Sequence, residues 1–205
     1  MAVFKKSIRQ LYDIHWLCVF EEIHLYLLTN KMNYFTTHKT PIGKITLGSD
    51  GKSLTGLWIE NQKYHGGTIF KEMKENTNLP IFRDTKQWLD GYFAGKNPTT
   101  TQMSFKPVGS KFQLRVWKML CEIPYGKVTT YGTIARRIAK KMNKKNMASQ
   151  AIGNAVSHNP ISIIIPCHRV VGKNGSLTGY AGGISIKAKL LKLEKVDMSK
   201  LFIPK

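Results

Sequence analysis

From residue 33 onward the chain alternates apolar and polar side chains with a period of two, the pattern of half-buried strands. YFTT begins it, GKITLGS continues it with Ile45 and Leu47 alternating against Lys44 and Thr46, and after the turn SDGK the run LTGLWIE follows. This spacing predicts a small antiparallel sheet. The period then lengthens: Trp88, Leu89, Tyr92 and Phe93 share one helical face, with Asp84 or Thr85 placed to cap the helix and Gly95 to close it. NPTTTQMSFKP, from Asn97 to Pro107, has the polar and proline content of a linker.

The second half is mainly helical in its periodicity. Ser110 and Gln113 form an S-x-x-Q capping box, and Phe112, Val116, Leu120 and Ile123 then recur at helical spacing until PYGK, Pro124 to Lys127. A second helix after Thr130 buries Ile134, Ile138 and Met142 with Ala135 and Ala139. After KKMNKKN a third buries Ala148, Ala151, Ile152, Ala155 and Val156. Two short helices flanking a lysine-rich turn outline a helix-turn-helix, in which the second helix lies on DNA and Gly153 permits close packing. A plain helical hairpin has the same periodicity. The fold class expected is α/β (α+β): a small N-terminal antiparallel sheet plus helix, then a helical C-terminal domain. The boundaries are an extension at 1–32, a sheet-and-helix domain with linker at 33–107, and a DNA-binding and active-site domain at 108–205.

Residues 1–31 carry Lys5, Lys6 and Arg9 ahead of an apolar stretch, but Glu21 and Glu22 interrupt it and no small-residue cleavage site follows. The stretch is also too short to span a bilayer. It reads as a helical appendage or, with Met32 just before the first strand, as an upstream start that is not used.

Charge changes the picture. The formal net charge is +20, with 13 Lys/Arg against 9 Asp/Glu in residues 1–102 (+4) and 19 against 3 in residues 103–205 (+16). Between Glu122 and Glu194 there is no acidic residue. That stretch can lie against phosphates without like-charge repulsion, and Lys140, Lys141, Lys144 and Lys145 sit in or beside the helix-turn-helix turn. A solvated, solubilising face is the alternative reading of such lysines.

Cys18, Cys121 and Cys167 are too few and too scattered for a disulfide framework, and no CxxC pair begins a zinc site. A reducing compartment follows, the cytoplasm or the nucleus of a eukaryotic cell. Cys167 stands in ISIIIPCHRVVG, a β-type apolar run that stops at Pro166 and sets the cysteine directly before His168. Adjacent side chains on an extended chain point to opposite faces, although a water can link them. A thiolate is the reactive form of cysteine, and an imidazole base and a positive field both promote it; a buried thiol ending a core strand is equally compatible with the dipeptide. GKNGSLTGYAGG, Gly172 to Gly183, then offers backbone able to approach a ligand closely, and it lacks the GK[ST] of a phosphate-binding loop.

Taken together, IPYGKVTTYG, HNPISIIIPCHRVVG, LTGYAGG and KAKLLKLE resemble, in order and spacing, the O6-alkylguanine-DNA alkyltransferases, also called methylated-DNA-protein-cysteine methyltransferases. The resemblance runs from Asn33 to Val196 and is densest from Gly109 onward; PCHRV followed by GYAGG is its most specific part. It implies direct reversal of alkylation damage in double-stranded DNA, O6-methylguanine and also O4-methylthymine. The base is flipped from the stack and the Cys167 sulfur, expected to be held ionised inside a cationic cleft, displaces its alkyl carbon, irreversibly and once per molecule. It further implies that His168 takes the thiol proton through a water, that Glu194 orients His168, and that Tyr131 protonates the leaving guanine. Carbonyls of Cys167 and Val170 would face the base's amino group and the N–H of Ala181 its O6, with Tyr180 as a wall and Asn159 as the hinge below the recognition helix. Gln150 stands where the family most often has the arginine that enters the duplex, so hydrogen bonding is kept there without charge. The cysteine and histidine zinc cluster of some members has no counterpart, because residues 33–97 contain no cysteine; no metal and no cofactor are expected. The chain is expected to act as a monomer without a membrane. Two other readings stand beside this one: a lesion-binding protein of the alkyltransferase-like type, without chemistry, and a Cys-His hydrolase that turns over.

Overall fold

Strands β1 (Asn33–Thr40), β2 (Gly43–Ser49) and β3 (Leu54–Ile59) form the antiparallel meander the alternation predicts. This is a computed structural model, and it describes residues 32–67, 73–101 and 103–204. The reading of residues 1–31 as an appendage or unused start lies outside the described residues. A short β4 (Met73–Glu75), too brief to leave a periodic signal, pairs parallel with β1, so the sheet is mixed, in the order β3-β2-β1-β4, and not purely antiparallel.

Helix α1 (Pro80–Phe93) packs on β1 and β2. It begins well before Asp84 and Thr85, because Pro80 at the first helical position has a pre-set φ and no N–H to satisfy. Thr85 is buried and donates to Ile81 O at 2.6 Å. Phe82, Leu89 and Tyr92 of α1 join Ile45, Leu47, Leu57 and Ile59 of the sheet in one core. The stretch expected as a linker instead runs along β3: Leu54 N–H donates to Ser104 O at 2.9 Å and Lys106 N–H to Leu54 O at 2.7 Å.

Helix α2 (Lys111–Leu120) starts on the predicted capping box, with Ser110 N–H donating to Gln113 Oε1 at 2.8 Å and Gln113 N–H to Ser110 Oγ at 3.3 Å. Helix α3 (Tyr131–Lys141) is capped by Thr130. It ends where Asn143 turns left-handed (φ 55°), so that Lys144 N–H reaches Ala139 O and Asn143 N–H reaches Lys140 O, a Schellman termination. Helix α4 (Ser149–Ser157) follows, and Trp117 of α2 donates through Nε1 to Ala155 O at 2.8 Å, fixing α4 against it. Ile152, Ala155 and Val156 are buried as expected; Met142 and Ala151 are only half-buried, and Ala148 is the exposed N-cap because α4 starts one residue after it.

The apolar run Ile161 to Ile165 is buried throughout but is not a strand. It coils: Ile164 N–H returns to Ser162 O, Ile165 N–H to Ile161 O, and Ile163 takes φ 70°, costly for a β-branched residue and held only by its surroundings. Its entry is tied to the sheet, since Leu57 N–H donates to Pro160 O and Ser162 N–H to Leu57 O. Cys167–Arg169 form a single 3-10 turn, β6 (Val170–Val171) pairs with β5 (Thr129–Thr130), and α5 (Ile184–Leu193) closes the core. Among the described residues no helix is long and apolar enough to cross a membrane.

Trp58 lies across the far face of the sheet, filling the space where Gly56 has no side chain: a Cβ there would stand 1.9 Å from Trp58 Cη2. Gly56→Ala is therefore expected to destabilise the fold by about 1–3 kcal/mol through overpacking, read from urea unfolding midpoints; an unchanged midpoint would show the indole free to move aside.

Candidate active site

Five of the predicted site residues converge. Asn159, just past the C-terminus of α4, is 4% exposed, and its Nδ2 donates to Ile165 O at 2.8 Å and to Cys167 Sγ at 3.1 Å, while its Oδ1 accepts from Ile161 N at 3.0 Å. One side chain thus shapes the coil and presents the sulfur. Cys167 itself is 5% exposed.

His168 and Glu194 are both wholly buried, and His168 Nε2 lies 2.7 Å from Glu194 Oε1. A carboxylate can only accept, so Nε2 carries the proton and Nδ1 is left as the basic atom; Nδ1 is buried and has no hydrogen-bond partner. Burial lowers the His168 pKa below its ordinary value, against the opposing pull of Glu194, so the ring rests neutral.

Three further residues that hold Glu194 escape sequence reasoning. Arg169 donates to it through Nε at 2.8 Å and Nη2 at 2.9 Å, Tyr92 Oη donates at 2.8 Å, and Gly126 N–H donates at 3.2 Å. Arg169 also reaches Ile123 O. The backbone passes Glu194 so closely at Gly126 (φ 72°) that a Cβ would stand 2.8 Å from Glu194 O, which explains the glycine of PYGK. Tyr92 looked like one more apolar position of α1; nothing in its spacing separates a core phenol from one that reaches a carboxylate.

Tyr131, first residue of α3, donates through Oη to Thr178 O at 3.2 Å, and burial pushes its pKa up to about 12, so it stays a phenol. Tyr180 packs edge-on to His168, ring centroids 6.5 Å apart, and burial lifts its pKa well above the ordinary value. The carbonyl of Cys167 accepts Val170 N–H within the 3-10 turn, and that of Val170 accepts Lys187 Nζ at 2.5 Å. Each keeps a second lone pair. Ala181 lies in the same loop, its carbonyl taking Lys63 N–H at 3.0 Å. Lys187, also missed from sequence, is wholly buried.

The remaining residues lie on the helix-turn-helix surface. Gln150 is exposed in the first turn of α4, and Lys140, Lys144 and Lys145 are exposed around the turn. Lys141 pairs with Glu122 at 3.6 Å, alongside Arg137, a surface pairing weak enough to exchange for a phosphate.

One expectation is corrected by the burial of the nucleophile. Desolvation raises the Cys167 pKa despite the Asn159 hydrogen bond, the charge of Lys187 and two backbone N–H groups, all of which lower it. The resting sulfur is a thiol, not an ion held in an open cationic cleft. A neutral imidazole beside it is then a base in the right form.

Comparison with known proteins gives the same outline. Residues 111–196 match the family model described as 6-O-methylguanine DNA methyltransferase, DNA binding domain, and residues 33–107 match its ribonuclease-like domain. The chain is 40% identical over 163 residues to a methylated-DNA–protein-cysteine methyltransferase of Haemophilus influenzae, covering 80% of this chain and 87% of that protein. It is 45% identical over 166 residues to the protein of that name from Methanosarcina mazei, covering 80% and 99%. The crystal structure of Mycobacterium tuberculosis OGT in complex with DNA superposes with a TM-score of 0.67 at 40% identity, covering 79% of this chain and 92% of that one.

Acidification strains the site twice. His168, with its pKa lowered, favours the folded state fully only above its ordinary 6.5, and that contribution is lost as pH falls through the folded value. Glu194, held at about 2, favours it above its ordinary 4.5 and loses that contribution as pH falls from there toward 2. Stability is expected to decline below about pH 6.5 and more steeply below pH 4.5, and Glu194→Gln should lower the neutral plateau and flatten the second limb. Thermal unfolding across pH reads this; an unaltered acid limb in the variant would show that Glu194 does not set it.

Proposed function

Because the chain belongs to the 6-O-methylguanine DNA methyltransferase family, we propose that it repairs alkylated DNA by moving the O6-alkyl group of guanine onto Cys167. The observation that carries the reading is the state of His168: neutral, fixed through Nε2 by Glu194, and left with a free basic Nδ1 next in sequence to a thiol that Asn159 presents.

The step closes in atoms and charge. Cys167 gives its proton, through one bridging water, to His168 Nδ1, and the imidazolium so formed is stabilised by the Glu194 carboxylate. The thiolate attacks the alkyl carbon in line, the S–C bond forming as the C–O6 bond breaks, and the electron pair passes to guanine. Tyr131 gives guanine a proton at a ring nitrogen and is reprotonated from the proton the thiol released. Cys167 ends as a thioether, which has no ready hydrolytic route, so the protein is consumed one molecule per lesion.

The base must leave the stack to meet a sulfur this enclosed. On this reading Val170, Ala181 and Tyr180 would line the base, and the carbonyls of Cys167 and Val170, which accept from Val170 N–H and Lys187 Nζ, would use their second lone pairs on the guanine amino group. Gln150 would touch the duplex at the gap. Lys140, Lys144 and Lys145, joined by Lys141, would hold phosphates. We place the protein in the compartment that holds DNA, the cytoplasm or a eukaryotic nucleus, acting as a monomer without metal or cofactor. O4-methylthymine offers the same O-alkyl carbon as a second lesion.

Incubation with a duplex carrying O6-methylguanine is expected to add one methyl group to Cys167 and no more on a second addition of substrate, as read by intact mass and peptide mapping. Cys167→Ala should gain nothing; retained label in it would reject the assignment. The duplex affinity should fall with salt, and Lys144→Ala with Lys145→Ala should reduce the slope of log K against log salt by about 2 while leaving discrimination for the lesion intact. A slope equal to that of the unaltered protein would remove these lysines from the interface.

A further inference from the structure

Lys187 stands outside every role described so far. It has no exposed surface, and its ammonium donates to Val170 O at 2.5 Å and Thr178 O at 2.7 Å. A buried charge is costly unless something answers it, and among the described residues no carboxylate pairs with Lys187. The charge it meets is that of Cys167: Lys187 favours the thiolate, and the thiolate in turn favours the ammonium.

Its two acceptors place it at the centre of the site. Val170 follows directly on the turn that carries Cys167 and His168, and Thr178 belongs to the glycine-rich loop. Thr178 O also accepts from Tyr131 Oη. One ammonium therefore ties the strand after the nucleophile to the loop that frames the base, and shares an acceptor with the phenol. Its charge also helps keep His168 neutral, after burial and Arg169. The same cation thus favours both the anionic sulfur and the unprotonated base.

We propose that Lys187 is a positioning residue of the transfer: its ammonium is the fixed counter-charge under which the Cys167 thiolate forms, and the clamp that holds the Val170 and Thr178 carbonyls around it. Lys187 gives up no proton in the step; the thiol proton goes to His168. The other ionisable groups around the sulfur are Tyr131 and Tyr180, both kept as phenols by burial, and His168, so Lys187 supplies the cationic field that Cys167 feels. Burial brings its own pKa down to about 8, which leaves it charged at neutral pH.

The inference rests on the alkyl-transfer reading, and the experiment separates the two. Lys187→Gln keeps a hydrogen-bond donor and removes the charge; Lys187→Met removes both. In protein labelled with 13Cβ cysteine, and with the Cys167 resonance assigned by its loss in Cys167→Ala, the thiol titration is followed directly without any substrate. Both variants are expected to raise the Cys167 inflection by about one pH unit or more, and single-turnover methyl transfer at neutral pH should fall by about ten-fold or more in step with it. An inflection in Lys187→Gln equal to that of the unaltered protein would overturn the counter-charge, and so would a recovered transfer rate in that variant with loss only in Lys187→Met, which marks a clamp alone. Should Lys187→Met fail to fold, Lys187→Gln decides. If the unaltered protein takes up no methyl group, the transfer reading fails while the titration still answers for Lys187.

Discussion

The Glu194 carboxylate is the constraint on which the rest of the site depends. It is wholly buried and receives five hydrogen bonds, from His168, from Arg169 twice, from Tyr92 and from Gly126. A carboxylate out of water is tolerable only when its lone pairs are occupied and its charge is answered, and here both conditions draw in segments far apart in sequence. α1 supplies Tyr92, the loop after α2 supplies Gly126, and the turn after Pro166 supplies His168 and Arg169. The C-cap of α5 is a poor place for an anion by the helix dipole alone. Arg169 and the other donors outweigh that, and the carboxyl is held down to about 2. The N-terminal sheet and helix are thereby wired to the chemistry through Tyr92, not merely packed beside it.

What Glu194 does for His168, Asn159 and Lys187 do for Cys167, and the balance is different. Burial wins over the four favourable influences on the sulfur, which keeps it a thiol at rest. An exposed thiolate would react with any alkylating agent or oxidant it met. Enclosure at 5% exposure keeps the sulfur in its less reactive protonated form at rest, with a neutral imidazole in the next residue to take the proton.

Much of this was legible in the sequence, for identifiable reasons. The alternation in GKITLGS and LTGLWIE, the Ser110–Gln113 box and the Thr130 cap each follow local rules that the tertiary structure obeys. Cys167, His168, Glu194, Tyr131 and Asn159 were identified through a motif whose order the chain preserves, and the structure gathers them. Three things were not legible. The run Ile161 to Ile165 has strand composition but coils, because the Asn159 side chain and the backbone of Leu57 take its polar groups and impose φ 70° on Ile163. β4 is three residues long and carries no period. Tyr92 and Lys187 look like an ordinary apolar helix position and an ordinary lysine. Only their long-range partners, Glu194 at one and the carbonyls of Val170 and Thr178 at the other, distinguish them.

The distance between DNA surface and sulfur follows from α4. Gln150 stands in its first turn and Asn159 just beyond its last residue, so nine residues of helix separate the exposed end from the residue that presents Cys167, about 13 Å at 1.5 Å per residue. If the duplex docks on the exposed end of α4 as proposed, a base left in the stack would stand about that far from the sulfur, which is why the base is proposed to leave the stack. Helix α4 is held rigid for that purpose by Trp117, whose indole N–H fastens Ala155 near its inner end, and by the Schellman turn at Asn143 that sets its approach. Lys140, Lys144 and Lys145 are exposed around that turn at the outer end, while Asn159 at the inner end holds the sulfur of the residue next to the buried His168–Glu194 pair. Charge is thus divided along the length of one short helix: exposed cations at one end, and a buried anion at the other.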